Sequence, residues 1–508
     1  MSQIRVTDLT FSYEGSFDPI FENVSFSIDT NWKLGFIGRN GKGKTSFLNL
    51  LLGKYPYSGT ISTPAVFDYF PYPITARQLQ LPAAEFIEAL KSSCELWRVL
   101  RELNDLQEDA EVLYRPFATL SPGERTKLLL AILFSGENDF LLIDEPTNHL
   151  DQEAREIVKH YLSAKKGFIL VSHDRDLLDA CIDHVLVLNR RTIEVQSGNF
   201  SSWWENKRRK DQFATAENEK HLREISALRQ AAARTAEWAD QNERTKIGFD
   251  PVREHDRYIN TRAYIGAKTK KLQSQVKQTE KRIHREIAEK EGLLADLEPP
   301  VDLKLRPLVH PKETLVQVRD YAVKYPDAAQ PVFTGLTFCV QRGQRIALHG
   351  QNGCGKSTLL RRLLEKAGAV DTGVPVIESG SCETASGLIL SYVSQDTSLL
   401  KGSISAFCSN HQLEESLFCA VLRQLDMERV QFCKPMEDYS EGQKKKVLLA
   451  ASLLTPAHLY VWDEPLNYID VFSRMQIEKL LLTYEPTMLF VEHDACFRER
   501  VATQIIEI

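Results

Sequence analysis

The chain has 508 residues, 43% of them hydrophobic and 26% charged, with a formal net charge of −6. That length exceeds what one hydrophobic core supports, so at least two domains are expected, and the longest apolar runs, Leu128 to Phe134 and Phe168 to Val171, fall far short of the roughly 20 residues that cross a bilayer. Met1 to Phe11 alternates charged and apolar residues and does not read as an export signal, while nine cysteines with no CxxC pair and no histidine at zinc spacing predict a reduced, cytoplasmic setting.

In chain order, Leu34 to Ile37 is predicted to be a buried strand that runs into Gly38-Arg39-Asn40-Gly41-Lys42-Gly43-Lys44-Thr45 and then a helix. This is the P-loop pattern. Glycines let the backbone wrap a phosphate and turn its N–H groups inward, the helix N-terminus adds its dipole, Lys44 brings a point charge, and Thr45 offers a hydroxyl to Mg²⁺. Leu120-Ser121-Pro122-Gly123-Glu124 then opens a helix rich in Lys, Leu and Ala, with Ser121 23 residues before an acidic pair, Asp144-Glu145. Phe140 to Ile143 reads as a strand delivering that pair. Asp144 is expected to hold Mg²⁺ through water, and Glu145 to polarise an attacking water. A third apolar strand, Phe168 to Val171, ends at Ser172-His173-Asp174, where His173 is read as a sensor of the terminal phosphate. All three strands are expected in a largely parallel sheet.

The middle of the chain changes character. From Trp203 to Glu243, and again from Ala263 to Leu297, Glu, Lys, Arg, Ala and Gln form long helical runs. Thr245 to Asn260 carries Gly248 and Pro251 and reads as the turn of an antiparallel hairpin, with arms of about 50 to 60 Å. Between Glu205 and Glu291 there are 21 Lys and Arg against 15 Asp and Glu, so an acidic body carries a basic insert. At the tip, Lys246, Phe249, Arg253, Arg257, Tyr258, Arg262 and Tyr264 combine positive charge with aromatic rings that stack on RNA bases. The same rings would equally serve as a small cluster closing the hairpin, and the basic arms as a solvated coiled-coil face. Pro299, Pro300, Pro307 and Pro311 mark an extended return.

After the insert the motifs repeat in the same order. Tyr13 recurs as Tyr325 and Lys44 as Lys356, both 312 residues on; Ser121 recurs as Ser440 and Asp144 as Asp463, both 319 on; His173 recurs as His493, 320 on. Gly350-Gln351-Asn352-Gly353-Cys354-Gly355-Lys356-Ser357 is the second P-loop, Tyr439-Ser440-Glu441-Gly442-Gln443 the second serine motif, and Asp463-Glu464 the second acidic pair. The domains expected are residues 1–200, 201–312 and 313–508.

P-loop, Ser-x-Gly-Glu/Gln, Asp-Glu and His in this order resemble the ATP-binding-cassette ATPases, and the resemblance covers both repeats. It implies an α/β fold: two P-loop cassettes joined by a long antiparallel α-helical hairpin linker. It further implies that two cassettes face head to tail, each ATP lying between one P-loop and the opposite signature. One site would join Gly38 to Thr45, Asp144, Glu145 and His173 to Ser440, Gly442 and Gln443. The other would join Gly350 to Ser357, Asp463, Glu464 and His493 to Ser121, Gly123 and Glu124. Tyr13 and Tyr325 match the aromatic that stacks on adenine, with a core tyrosine as the alternative. Three departures stand out: Pro122 and Glu441 replace a signature glycine; Pro465-Leu466-Asn467-Tyr468-Ile469-Asp470 is degenerate beside Pro146-Thr147-Asn148-His149-Leu150-Asp151; and the metal-site glutamine of the family is present as Gln395 but is Tyr72 in the first repeat. Two unequal sites are expected.

Two cassettes in one chain with a basic hairpin between them resemble the ABC-F proteins. In that group the linker enters the ribosomal E site and approaches the P-site tRNA and the peptidyl-transferase centre. Thr30 to Gly41, Leu113-Tyr114-Arg115-Pro116-Phe117 and Ser197-Gly198-Asn199-Phe200 look like the Lsa-type antibiotic-resistance branch. What this implies is a monomeric cytoplasmic ATPase using ATP and Mg²⁺, binding rRNA and tRNA on the 70S ribosome, and displacing lincosamide, pleuromutilin and streptogramin A antibiotics. The rival readings are a housekeeping translation factor, a transport ATPase with a membrane partner, and a DNA-repair ATPase on duplex DNA.

Overall fold

The structure, a computed structural model, describes residues 2–13, 19–91, 94–136, 140–148, 150–189, 192–244, 278, 281–283, 285, 303–326, 328–369 and 374–508. The chain divides into a unit made of Met1–Trp203 with Val301–Ile508 and a second unit, Trp204–Pro300. In the first repeat the strands are β1 (Gln3–Phe11), β2 (Phe21–Asp29), β3 (Lys33–Ile37), β4 (Ser58–Ser62), β5 (Phe67–Phe70), β6 (Phe140–Asp144), β7 (Phe168–Val171), β8 (His184–Leu188) and β9 (Ile193–Ser197). They form an antiparallel sheet β2-β1-β4 and a six-stranded sheet β5-β6-β7-β3-β8-β9, parallel except for the β8–β9 pair.

The second repeat rebuilds this plan with β10 (Thr314–Lys324), β11 (Phe333–Gln341), β12 (Arg345–His349), β13 (Ile377–Thr384), β14 (Leu390–Val393), β15 (Leu459–Asp463), β16 (Met488–Val491) and β17 (Gln504–Glu507). Its parallel sheet runs β14-β15-β16-β12-β17, and β11-β10-β13 forms the antiparallel one. The predicted strands are therefore central. Phe168–Val171 is buried at every position and Phe140–Asp144 at all but the last, as expected of sheet covered on both faces. Because β3, β6 and β7 run parallel, their C-terminal ends deliver the P-loop, the acidic pair and His173 to one edge.

Aromatic packing fixes the helix that follows the first P-loop. Phe47, fully buried in Lys44–Leu51, has ring centroids 6.0, 5.8 and 5.5 Å from Phe21, Phe26 and Phe36. In the second repeat Trp462 is fully buried on β15, with its indole N–H donated to Ser452 Oγ at 2.9 Å. A buried indole needs that acceptor.

The second unit holds most of a helix running Phe200–Arg244, and positions 278, 281–283 and 285 are also helical. Ile225 and Ile283 bury against each other with Leu228 beside them, so segments from either side of the predicted turn are in contact. The tip residues Lys246, Phe249, Arg253, Arg257, Tyr258, Arg262 and Tyr264 lie outside the described residues. Phe47→Ala should destabilise the first cassette by about 3–5 kcal/mol. Urea titration followed by far-UV circular dichroism should show an earlier first transition, with the later one unmoved.

Candidate nucleotide sites

Six motif residues begin helices, which explains why the motifs are spaced as they are. Ser121 caps Pro122–Ser135 and Ser440 caps Glu441–Leu454, each with a complete capping box in which Glu124 or Gln443 reaches back to the cap's own N–H. Asp151, Asp174, Asp470 and Asp494 cap the helices that follow them by accepting from a first-turn N–H, without the reciprocal half of the box. The signature departures are now accounted for. Pro122 and Glu441 occupy the first helical position, where proline's fixed φ fits and a carboxylate meets the positive end of the dipole. Glycine's freedom is not needed there. Glu441 also accepts a 2.6 Å hydrogen bond from Thr397 Oγ1, two residues past Gln395. The carboxylate of Glu124 accepts from Ser121 N at 2.6 Å and from Arg115 at 2.7 Å, so it is engaged within its own cassette.

Each P-loop is a cradle that only glycine permits at its last turn. Gly43 at φ +107° and Gly355 at φ +100° would place a Cβ 2.5 Å from Ile20 and 2.4 Å from Val332. Lys44 is buried and donates to Gly38 O at 2.6 Å, Arg39 O at 3.3 Å and Asn40 Oδ1 at 3.2 Å. Lys356 does the same to Gly350 O and Gln351 O, both at 2.8 Å. Burial lowers the Lys44 pKa, and the neighbouring Asp470, Glu145 and Asp144 oppose that shift. Thr45 Oγ1 donates to Asp144 Oδ2 at 3.2 Å, and Ser357 hydrogen-bonds Asp463, whose other oxygen is buried without a partner. Hydroxyl and carboxylate oxygens are the donor set Mg²⁺ prefers. Among the described residues no cluster of three His, Cys, Asp or Glu could hold an ion unaided, so phosphate oxygens would complete the shell.

Glu145 and Glu464 both stand in the left-handed region, at φ 50° and 47°, a strain that persists only where surrounding contacts enforce it. Each backbone N–H is tied to the next strand, to Val171 O at 2.9 Å and Val491 O at 3.0 Å. Their carboxylates differ sharply. Glu464 accepts from Asn467 at 2.6 Å and Gln395 at 2.9 Å and faces His493 Nε2 at 3.2 Å; burial alone would raise its pKa, but His493, Lys445 and Gln395 bring it below the usual value. Glu145 stands 3.3 Å from His173 Nε2, yet its Oε1 has no hydrogen bond. Burial first, and then the charge of Asp144, push its pKa up to about 8. His173 is held well below the ordinary histidine value by burial and by Lys44, Arg474 and Lys446, so it is neutral. Burial also raises Asp463 to about 6.

The strand registers place Phe70 and Val393 alike beside the strand carrying the acidic pair, which makes Tyr72 the counterpart of Gln395. Tyr72 turns away and donates to Asp68 Oδ2 at 2.7 Å, while Tyr69 OH donates to Asp144 Oδ2 at 3.1 Å. The sequence flagged Tyr72 and missed Tyr69. Gln395 directs its amide nitrogen to Glu464 at 2.9 Å, which leaves its amide oxygen as the atom that would face a metal. Tyr13 is 43% exposed, which rules out the core alternative for it, and its hydroxyl meets Ser46 Oγ at 2.7 Å. Tyr325, half-buried, meets Thr358 Oγ1 at 3.1 Å in the same way.

The cassettes face each other head to tail at the first P-loop. Asn40 Nδ2 donates to Tyr468 O at 2.8 Å, and a Cβ on Gly442 would fall 2.8 Å from that same carbonyl, so P-loop and opposite signature share one backbone oxygen. Arg39 Nη1 pairs with Asp426 at 3.2 Å and Lys42 with Glu428 at 2.9 Å. These acids were not legible as site residues, since they lie outside the repeated motifs and Asp426 has Gln107 as its repeat counterpart. At the second P-loop, Gln351 and His349 line a cavity of about 440 Å³ with Gln107, Asp151, Gln152 and Glu156 of the first cassette.

A family model described as ABC transporter matches residues 21–148 and 333–467. The ribosome protection protein VmlR of Bacillus subtilis (strain 168) is 27% identical over 510 residues, covering 99% of this chain and 86% of that protein. The erythromycin resistance ATP-binding protein MsrA of Staphylococcus epidermidis is 28% identical, covering 94% and 92%. The archaeal ribosome recycling factor aABCE1, solved in complex with the ribosomal stalk protein aP1, shares the fold at TM-score 0.60 and 17% identity, covering 98% of this chain and 87% of that one.

The unequal carboxylates set a pH test. In Glu464→Gln protein, where only Glu145 remains to accept a proton, ATP turnover should climb as pH rises through about 8 and Glu145 ionises. In Glu145→Gln protein, where the low-pKa Glu464 remains, the same range should be flat. Steady-state phosphate release across neutral to alkaline buffers checks both.

Proposed function

This chain belongs to the ABC transporter family, in its ABC-F branch, and is an ATPase; on that premise we propose that it protects the ribosome against peptidyl-transferase-centre antibiotics. The observation that carries this reading is the joining of two cassettes by a helical insert whose stretch from Arg244 to Arg285, around the predicted turn, carries 12 Lys and Arg against 4 Asp and Glu. Similarity to VmlR and MsrA over nearly the whole chain supports it. The cassettes close on ATP, the body docks at the ribosomal E site in the cytoplasm, and the linker reaches toward the P-site tRNA and the drug-binding region. Lys and Arg on the insert neutralise rRNA and tRNA phosphates, so binding weakens with salt. Among the described residues no helix is long and apolar enough to cross a membrane, and the proposal needs no membrane partner.

At each composite site the P-loop N–H groups and Lys44 or Lys356 hold the β- and γ-phosphates. Thr45 with Asp144, and Ser357 with Asp463, would hold Mg²⁺, which when bound neutralises developing charge on the phosphate oxygens. Glu145 or Glu464 accepts a proton from water as its oxygen attacks the γ-phosphorus; the bond to the ADP oxygen breaks, and ADP and phosphate leave. His173 and His493, beside these glutamates, face the terminal phosphate, while Ser440 and Gly442, or Ser121 and Gly123, close from the opposite cassette. Hydrolysis reopens the cassettes and releases the ribosome.

Two outcomes follow. The Glu145→Gln/Glu464→Gln protein should hydrolyse ATP roughly 10² to 10⁴ times more slowly and pellet with 70S ribosomes in ATP; dissociation under those conditions would reject the cycle. Expression in a susceptible bacterium should raise tolerance to a lincosamide, a pleuromutilin or a streptogramin A, and Phe249→Ala/Tyr258→Ala should remove it. Ribosome binding with unchanged drug tolerance would favour a housekeeping translation factor instead.

A further inference from the structure

Among the described residues, the ion pairs between the cassettes are all on one side. Arg39–Asp426 at 3.2 Å, Lys42–Glu428 at 2.9 Å and Arg175–Glu478 at 2.6 Å join the first cassette to the second, the last with side chains only 5% and 7% exposed. Every basic member comes from the first cassette, at its P-loop or two residues past His173. Every acidic member comes from the second cassette, beside its signature or on the helix after Asp470.

The repeat makes this testable by comparison within one molecule. The backbone is the same on both sides: Asp426 at φ 63° and Gln107 at φ 52° each follow the C-cap of an equivalent helix, Glu415–Gln424 or Leu96–Asp105. The fold therefore presents one residue to the opposite P-loop in each half. The side chains differ. Where the first site has Arg39 and Asp426, the second has Gln351 and Gln107; where it has Lys42 and Glu428, the second has Cys354 and Asp109; where it has Arg175 and Glu478, the second has Ala495 and Lys159. None of the three counterpart sets can form an ion pair. Exposure agrees, since Arg39 and Asn40 are half-buried while Gln351 and Asn352 are exposed, and the cavity opens on the second side. Among the described residues, Arg498 donates to the neutral amide of Gln152 at 2.8 Å across that side.

We propose that Asp426, Glu428 and Glu478 are positioning residues that hold the first cassette's P-loop against the second cassette's signature, so that this site retains nucleotide while its repeat-related partner exchanges it. The proposal rests on the composite-site reading above. Asp426 and Glu428 touch P-loop side chains and Glu478 touches Arg175, so the three act through Arg39, Lys42 and Arg175. Their attraction does not require bound nucleotide, and among the described residues no such ion pair joins the cassettes on the other side. Partial exposure of the Lys42 and Glu428 side chains, 30% and 58%, leaves that pair screened by salt, whereas the buried Arg175–Glu478 pair is shielded.

Release of N-methylanthraniloyl-ATP from the full-length protein, chased with excess unlabelled ATP in a stopped-flow fluorimeter, reads this directly. Wild-type release is expected in two phases, the slow one lost in Lys44→Ala and the fast one lost in Lys356→Ala. Asp426→Asn/Glu428→Gln should speed the slow phase roughly three- to tenfold and leave the fast phase alone. The charge exchange Lys42→Glu/Glu428→Lys should keep a slow phase, which separates pairing from misfolding. Raising salt should speed the wild-type slow phase more than the doubly neutralised one. Release in a single phase, or two phases unmoved by the neutralised pair, would overturn the latch and leave the composite sites standing. Absence of nucleotide binding would overturn both readings.

Discussion

A charge taken out of water must find its compensation nearby, and that constraint organises this molecule. Lys44 is buried in the first cassette, but the carboxylates that offset its desolvation come from both halves: Asp144 and Glu145 from its own, Asp470 from the other. Asp470 is in turn fully buried, 3.5 Å from Lys446, and caps the helix Val471–Tyr484. The chemistry at one P-loop is therefore inseparable from the opposite cassette's helix starts. Two repeats in one chain supply these partners at high effective concentration.

Shared ancestry of sequence has not produced equal electrostatics. Glu464 sits in a net of donors that favours its charged form, whereas Glu145 has a neutral histidine beside it and a carboxylate before it. The difference lies less in the motif residues, which match, than in their neighbours. Asn467 and Gln395 turn toward Glu464; in the first cassette the counterpart of Gln395 is a tyrosine committed to Asp68. Two sites with the same reacting groups can divide labour when their surroundings set different protonation states.

The helical insert contributes by a different kind of physics. Its charge is unevenly distributed along the chain, and among the described residues exposed pairs such as Arg223–Glu219 at 3.4 Å add little to stability. The cassettes bury charge to control chemistry, and the proposed function turns on the basic excess of the insert.

Sequence alone determined what depends on local order: strands that read as unbroken apolar runs, loops that need glycine at φ beyond +100°, helices that begin at Ser121, Ser440 and the capping aspartates, and the doubling of all of these. Each is written in a few consecutive residues, so spacing and periodicity expose it. Tertiary structure alone decided which side chains meet across hundreds of positions. Nothing local marks Asp426 as a partner for Arg39, or Tyr69 rather than Tyr72 as the hydroxyl at Asp144, because those choices are made by how two folded cassettes pack and which groups burial leaves unpaired. The inequality expected from the degenerate motif was in the sequence; its physical form, opposite pKa shifts at Glu145 and Glu464 and, among the described residues, inter-cassette ion pairs on the Glu145 side, came from desolvation and proximity, which exist only once the chain has folded.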